Sequence, residues 1–183
     1  VLLITRIIIV LLLLLVLVQD LLFRAVHWII FPLLALGLLY LKWLENPVSS
    51  FAGFSQPVIV NLGFLIMIMG LLSLYLFLRK GRLINITDGF IGWADILFQG
   101  AIAFYLSVLN YLFFYIASMP LVLLLWLLWQ SVTGNKNKHI PLAGFQSILF
   151  ILFLAGDWTC FQLHITGDDW VLRNVMPWIQ RSR

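Results

Sequence analysis

Leu2 to Val18 reads LLITRIIIVLLLLLVLV and is closed by Gln19-Asp20. A run this apolar has one natural solvent, because about 20 such residues wound as a helix cross the ~30 Å hydrocarbon core of a bilayer. The stretch lacks a basic segment ahead of it and a small-residue cleavage pattern before Asp20, so it reads as a retained first helix rather than a signal peptide. Blocks of the same kind recur outward from it. His27 to Leu44 forms a second, closed by Glu45-Asn46-Pro47, and Pro47 to Pro57 reads as a loop. Val58 to Leu78 is the third, stopped by Arg79-Lys80-Gly81-Arg82. From Thr87-Asp88-Gly89 the chain stays apolar to Trp129, about 40 residues, too long for one crossing and enough for two. Ser107 to Asn110 is the expected turn between them. After the polar loop Thr133 to His139, a sixth span opens near Pro141 and fades at Gly156-Asp157.

The expected fold is therefore all-α, a polytopic transmembrane helix bundle of about six spans. It divides into a core over 1–158 and an amphipathic tail over 159–183, suited to lie along the membrane surface. Composition agrees: 63% of the 183 residues are hydrophobic and 10% charged, too little polar material to wet a globule of this size. The net charge of +4 does not point to nucleic acid, because the basic residues sit in short loops between spans and no nucleic-acid-reading module is present. Arg24, Arg79, Lys80, Arg82, Lys136 and Lys138 fall on one side of the bundle. The positive-inside rule places that side in the cytoplasm and the N-terminus and tail outside. Arg6 runs against the trend, and a long side chain can snorkel to the outer headgroups. A single cysteine, Cys160, excludes an intrachain disulfide and a cysteine-only zinc site.

Seven carboxylates remain to carry chemistry. Glu45, Asp168 and Asp169 lie in polar loops or the tail. Asp88, between Thr87 and Gly89, suits a helix N-cap and is the rival of Asp95 as a second acid. Asp20 ends an unbroken apolar run, and Asp95 lies inside one, Ile91-Gly92-Trp93-Ala94-Asp95-Ile96-Leu97-Phe98. An acid in hydrocarbon is costly enough that it marks a partner or a function. The topology puts both at the cytoplasmic ends of their helices, with Asp95 about two turns into a helix starting near Asp88. Two carboxylates that meet at one depth share a proton, one activating water while the other protonates a scissile carbonyl. The small residues Gly92 and Ala94 would let a substrate backbone come close. The plainer readings are ion pairs: Asp20 with Arg24 four residues on, Asp95 with Arg24 or Arg82. Asp157, Cys160, His164 and Asp168 share a stripe, but no second helix offers metal ligands, so no metal is expected. His27 beside Trp28 reads as interfacial, and the sequon Asn85-Ile86-Thr87 falls on the cytoplasmic side.

These residues resemble a family. Gly92-Trp93-Ala94-Asp95 is similar to the Gly-x-Gly-Asp signature of membrane aspartyl peptidases, in particular the prepilin peptidases (type IV leader peptidases). Gln19-Asp20-Leu21-Leu22-Phe23-Arg24-Ala25-Val26 is similar to the segment around that family's first aspartate. The order of parts agrees too: a hairpin after the second Asp, a basic loop, and Ile140-Pro141-Leu142-Ala143-Gly144-Phe145 opening the last span. The likeness covers Leu2 to Ala155. It implies a bacterial inner-membrane endopeptidase that removes a short basic leader from pilin-like precursors at the cytoplasmic face. Asp20 and Asp95 would be the catalytic dyad, Arg24, Gly92 and Ala94 would support it, and water as nucleophile would need no cofactor. Ala94 replaces the second Gly of the signature, Leu97 stands near the place of a common Lys, and Val26-His27-Trp28 replaces Ile-Pro-Asn. The cysteine-rich insert and the methyltransferase region of larger members are absent, which makes this a minimal, divergent form. Two other functions fit the same residues: a non-catalytic peptidase-like subunit of a secretion, pilus or gliding-type assembly, and a proton pathway with Asp20 and Asp95 as relays.

Overall fold

A computed structural model describes residues 1–45, 51–80, 92–133, 140–161 and 165–168, and among these every regular element is helical. The elements are α1 (Leu2–Phe23), α2 (Ile30–Glu45), α3 (Phe51–Lys80), α4 (Trp93–Ile102), α5 (Val108–Thr133) and α6 (Leu142–Ala155). A π-helical turn, Gly156–Phe161, extends α6.

α1 shows why the bundle belongs in lipid. Its buried residues are Thr5, Ile9, Leu13, Val16 and Asp20, a single stripe at helical spacing. The opposite face, including Ile4, Ile7, Ile8, Leu11, Leu15 and Leu22, is exposed and wholly apolar. A surface of this kind has no place in water, and it recurs on α3 and α5. Among the described residues, four helical stretches are long and apolar enough to cross a membrane: Leu2–Phe23, Ser55–Arg79, Val108–Ser131 and Leu142–Thr159. α2, with 16 residues, extends about 24 Å, and α4, with 10, about 15 Å.

α1 packs along both α2 and α6, α2 packs on α4, and α5 joins α6 to α3. The core between them is aliphatic around Leu13, Leu34 and Leu38, and aromatic around Phe98, Tyr111, Phe114 and Phe150. α6 begins with Ala143 and Gly144 on its buried side. Small residues there let α1 approach closely.

Three boundaries differ from the sequence expectation. α3 starts at Phe51, so Pro57 lies within a helix rather than ending a loop. Its missing N–H costs one bond near the helix start, where the long apolar run still favours continuing. α4 starts at Trp93 with an extended Gly92 (φ −70°, ψ 145°) before it, which puts Asp95 in the first turn rather than two turns in. The turn before α5 spans 103–107 instead of Ser107 to Asn110. Tyr105 and Leu106 are fully buried within it, and Asn110 belongs to the first turn of α5. Apolar anchoring, not polarity, decided where this hairpin bends.

Candidate active site

Asp20 sits in the last turn of α1. The helix stops at Arg24, which adopts a left-handed conformation (φ 51°) and returns its N–H to the Asp20 carbonyl at 3.1 Å. That stop leaves the Asp20 side chain on the buried stripe, pointing at the start of α6. There the Gly144 N–H donates to Asp20 Oδ2 at 2.6 Å, a bond between residues 124 positions apart. The first turn of a helix carries N–H groups with no partner inside the helix, so a carboxylate is well placed there. Gly144 suits this close approach: a Cβ on it would lie 3.1 Å from both the Asp20 Cβ and Oδ2, so the Asp20 side chain would have to give by a few tenths of an ångström.

Asp95 reaches the same helix end from α4. It accepts the Gly92 N–H at 3.1 Å, half of a capping box that glycine, lacking a side chain, cannot complete. It also interacts with the backbone N–H of Ala143, the neighbour of the residue that holds Asp20, and with the charge of Asp20 itself. Asp20 thus bonds one N–H of this helix terminus, and Asp95 lies near enough to feel the neighbouring N–H and the Asp20 charge. Both are largely withdrawn from the surface, Asp20 being 8% exposed.

The ion-pair readings do not hold for the described residues. Arg24 is exposed and acts on Asp20 only by its charge, with no ion pair between them. The single ion pair among the described residues is Arg6–Glu45, far from this site. Arg82 and Asp88, weighed as partner and rival of Asp95, lie outside the described residues, as do Asn85, Lys136 and Lys138. Ala94 is half-buried against the core, and Trp93 beside it is 65% exposed.

Residues that the hydropathy reading passed over hold this arrangement in place. Gln99, one turn beyond Asp95, donates from Nε2 to Gln146 Oε1 at 3.0 Å, and Gln146 Nε2 donates to Ser118 Oγ at 3.2 Å. All three are buried and join α4, α6 and α5. From α3, Asn61 donates to the carbonyls of Ala103 (3.1 Å) and Leu106 (3.0 Å), closing the far end of α4. The available signal was an amide inside an apolar run, which in lipid points toward a neighbouring helix.

A second polar cluster occupies the other end of α1. Arg6 pairs with Glu45 at 2.9 Å and lies 4.8 Å from the centre of the Trp158 ring, and the Tyr105 hydroxyl donates to Glu45 Oε2 at 2.7 Å. Arg6 thus turns inward rather than snorkelling to headgroups. Residues 165–168 tuck beside it onto the start of α5. The Asn110 side chain donates to the carbonyls of Ile165 (3.0 Å) and Gly167 (2.8 Å), and the Leu109 N–H donates to Asp168 Oδ1 at 3.0 Å. Asp168 therefore caps α5, and no group of three or more metal-ligating side chains forms among the described residues. His164, Asp169 and the rest of the tail to Arg183 lie outside those residues.

Comparison of the chain with protein-family models, with curated proteins and with solved structures gave no match. What the fold defines is a helical membrane protein, with Asp20 bonded to the start of α6 and Asp95 within electrostatic reach of it.

Proposed function

We propose that this chain is a membrane aspartyl endopeptidase resembling the prepilin peptidases, cleaving the leader of pilin-like precursors at the cytoplasmic face of a bacterial inner membrane. In this reading α2 and α4 are the second and fourth of six crossings, and the N-terminus and tail are periplasmic. The observation that carries it is Asp20 bonded to the Gly144 N–H at the start of α6, with Asp95 within electrostatic reach of both Asp20 and that helix end. A pair of acids whose hydrogen-bond donors are backbone groups and which forms no ion pair among the described residues is arranged to exchange a proton, not to hold helices together.

Asp20, whose carboxylate accepts the short bond from the Gly144 N–H, is the member assigned to take a proton from water. Asp95 carries the shared proton and gives it to the scissile carbonyl oxygen as the water oxygen bonds to the carbonyl carbon. Collapse of the resulting diol breaks the C–N bond: Asp95 takes back a proton from one diol hydroxyl, and the departing nitrogen takes the proton held by Asp20. The exposed Gly92 and the half-buried Ala94 leave room beside Asp95 for a peptide backbone.

The test uses the protein in liposomes with a peptide made of a short lysine-containing leader joined to an apolar helix, its products read by mass spectrometry. Cleavage at the leader junction that disappears in Asp20→Asn and in Asp95→Asn is the expected result. A peptide left intact by the parent protein, or cut equally well by both variants, sinks the peptidase reading. Function retained by both variants inside a membrane assembly is what the non-catalytic subunit reading requires.

A further inference from the structure

The buried chain Gln99–Gln146–Ser118 has a direction that its hydrogen atoms dictate. Ser118 Oγ donates its one hydrogen to the Tyr115 carbonyl at 3.2 Å, so toward Gln146 it can only accept. Gln146 must then offer Nε2 to Ser118 and turn Oε1 to Gln99, which obliges Gln99 to donate from Nε2. The amide orientation is fixed by the network rather than chosen freely. What remains is Gln99 Oε1, an acceptor in a residue only 3% exposed, with no hydrogen-bond partner among the described residues. A buried carbonyl oxygen left open is uncommon enough to require a reason.

Asp95 supplies one. It precedes Gln99 by four residues on α4, and Asp and Gln side chains at that spacing on a helix are within hydrogen-bonding reach. An ionised Asp95 has no hydrogen to give, and the Gln99 oxygen stays open. A protonated Asp95 has one O–H, which is what the open oxygen lacks. We infer that Gln99 Oε1 is the acceptor for the proton carried by Asp95, making Gln99 a positioning residue for the acid of the dyad. Gln146 and Ser118 hold the Gln99 amide in the one orientation that presents its oxygen, and the Tyr111 hydroxyl, donating to the Gln99 backbone carbonyl at 3.3 Å, steadies the same turn of α4.

The surroundings leave this proton few other influences. From α1 Asp20 acts on Asp95 by its charge, and α6 contributes the Ala143 N–H. On α2, Lys42 and Glu45 lie at the opposite end of the bundle, and Arg79 on α3 is exposed and donates to the Tyr75 hydroxyl.

The inference rests on reading Asp20 and Asp95 as one dyad, but its test needs no turnover. In pH-difference infrared spectra of the protein in liposomes, a protonated-carboxyl band that vanishes in Asp95→Asn reports this proton. Gln99→Met is expected to move that band to higher frequency, because a carboxyl that loses its acceptor has a stiffer C=O bond. Gln146→Met, which frees the Gln99 amide but keeps its oxygen, is expected to shift the band less than Gln99→Met does. Gln99→Asn, which withdraws the oxygen by one methylene while keeping an amide, repeats the test should Gln99→Met not fold. A band unmoved in the Gln99 variants, an equal shift in Gln146→Met, or no band assignable to Asp95 at any pH overturns the inference. Peptide cleavage without the shift defeats this inference alone, and the shift without cleavage defeats the peptidase reading alone.

Discussion

At one end of α1, Arg6 meets Glu45 at 2.9 Å, Glu45 takes the Tyr105 hydroxyl at 2.7 Å, and Trp158 lies against the guanidinium. At the other end, about 21 Å along the helix axis, Asp20 takes one backbone N–H at 2.6 Å and faces a second acid. Both clusters withdraw charge from the surface of a lipid-facing bundle. The first cancels charge against charge, as an ion pair must if it is to hold helices together at low polarity. The second sets like beside like and recruits only main-chain donors. Such a pair is a poor fastener and a good place to keep a mobile proton. The difference separates a structural cluster from a chemical one, although both are made of the same residue types.

If that division is right, the two ends must fail in different currencies. Asp20→Asn or Asp95→Asn should lower peptide cleavage by roughly 10²- to 10⁴-fold, the range for losing a general acid or base. Either variant should leave unfolding in a denaturant titration nearly where it was. A variant that unfolds readily instead would move this end into the structural class. Gly144→Ala is a finer probe, since its Cβ would press on Asp20 at 3.1 Å without removing any charge. A displacement of this size should cost about 10- to 100-fold in cleavage rate, and unchanged activity would show that the position of Asp20 is not critical.

The other end should answer in stability. Glu45→Gln leaves Arg6 without its ion-pair partner and should destabilise the protein by about 1–3 kcal/mol, read from the same titration. Cleavage per folded molecule should not change. Loss of activity with stability intact would erase the distinction between the two ends. Asp168→Ala removes the cap that the tail supplies to the Leu109 N–H and should cost about 1 kcal/mol. This is the smallest effect, and its absence would mean that the tail rests on α5 without holding it.

The sequence made the bundle and its acids legible to different depths. Apolar blocks bounded by Gln19-Asp20, Arg79-Lys80 and Pro141 are visible because crossing lipid requires long uninterrupted runs. Asp20 and Asp95 stood out because acids are scarce in such runs, and Asp95 lies within electrostatic reach of Asp20. The helix end that receives them was not legible. Pro141-Leu142-Ala143-Gly144 reads only as a span opening, and backbone N–H groups leave no mark in composition. Hydropathy also says nothing about long-range pairing. Asn61, Gln99 and Gln146 look like small defects in apolar runs until α3, α4 and α6 are seen side by side. Arg6 and Glu45 were assigned to the surface because each lies near a helix end. Their contact across 39 residues depends on how α1 and α2 pack, which no local pattern records.

The central claim is that Asp20 and Asp95 act as one unit, and a double-variant cycle on cleavage tests it most directly. Rates for the parent protein, Asp20→Asn, Asp95→Asn and the combined variant would be measured on the same leader peptide in liposomes. Members of one catalytic unit are grossly non-additive. The account predicts that either single change removes nearly all activity and that combining them removes little more. Losses that multiply, or a single variant that cleaves like the parent, would contradict it.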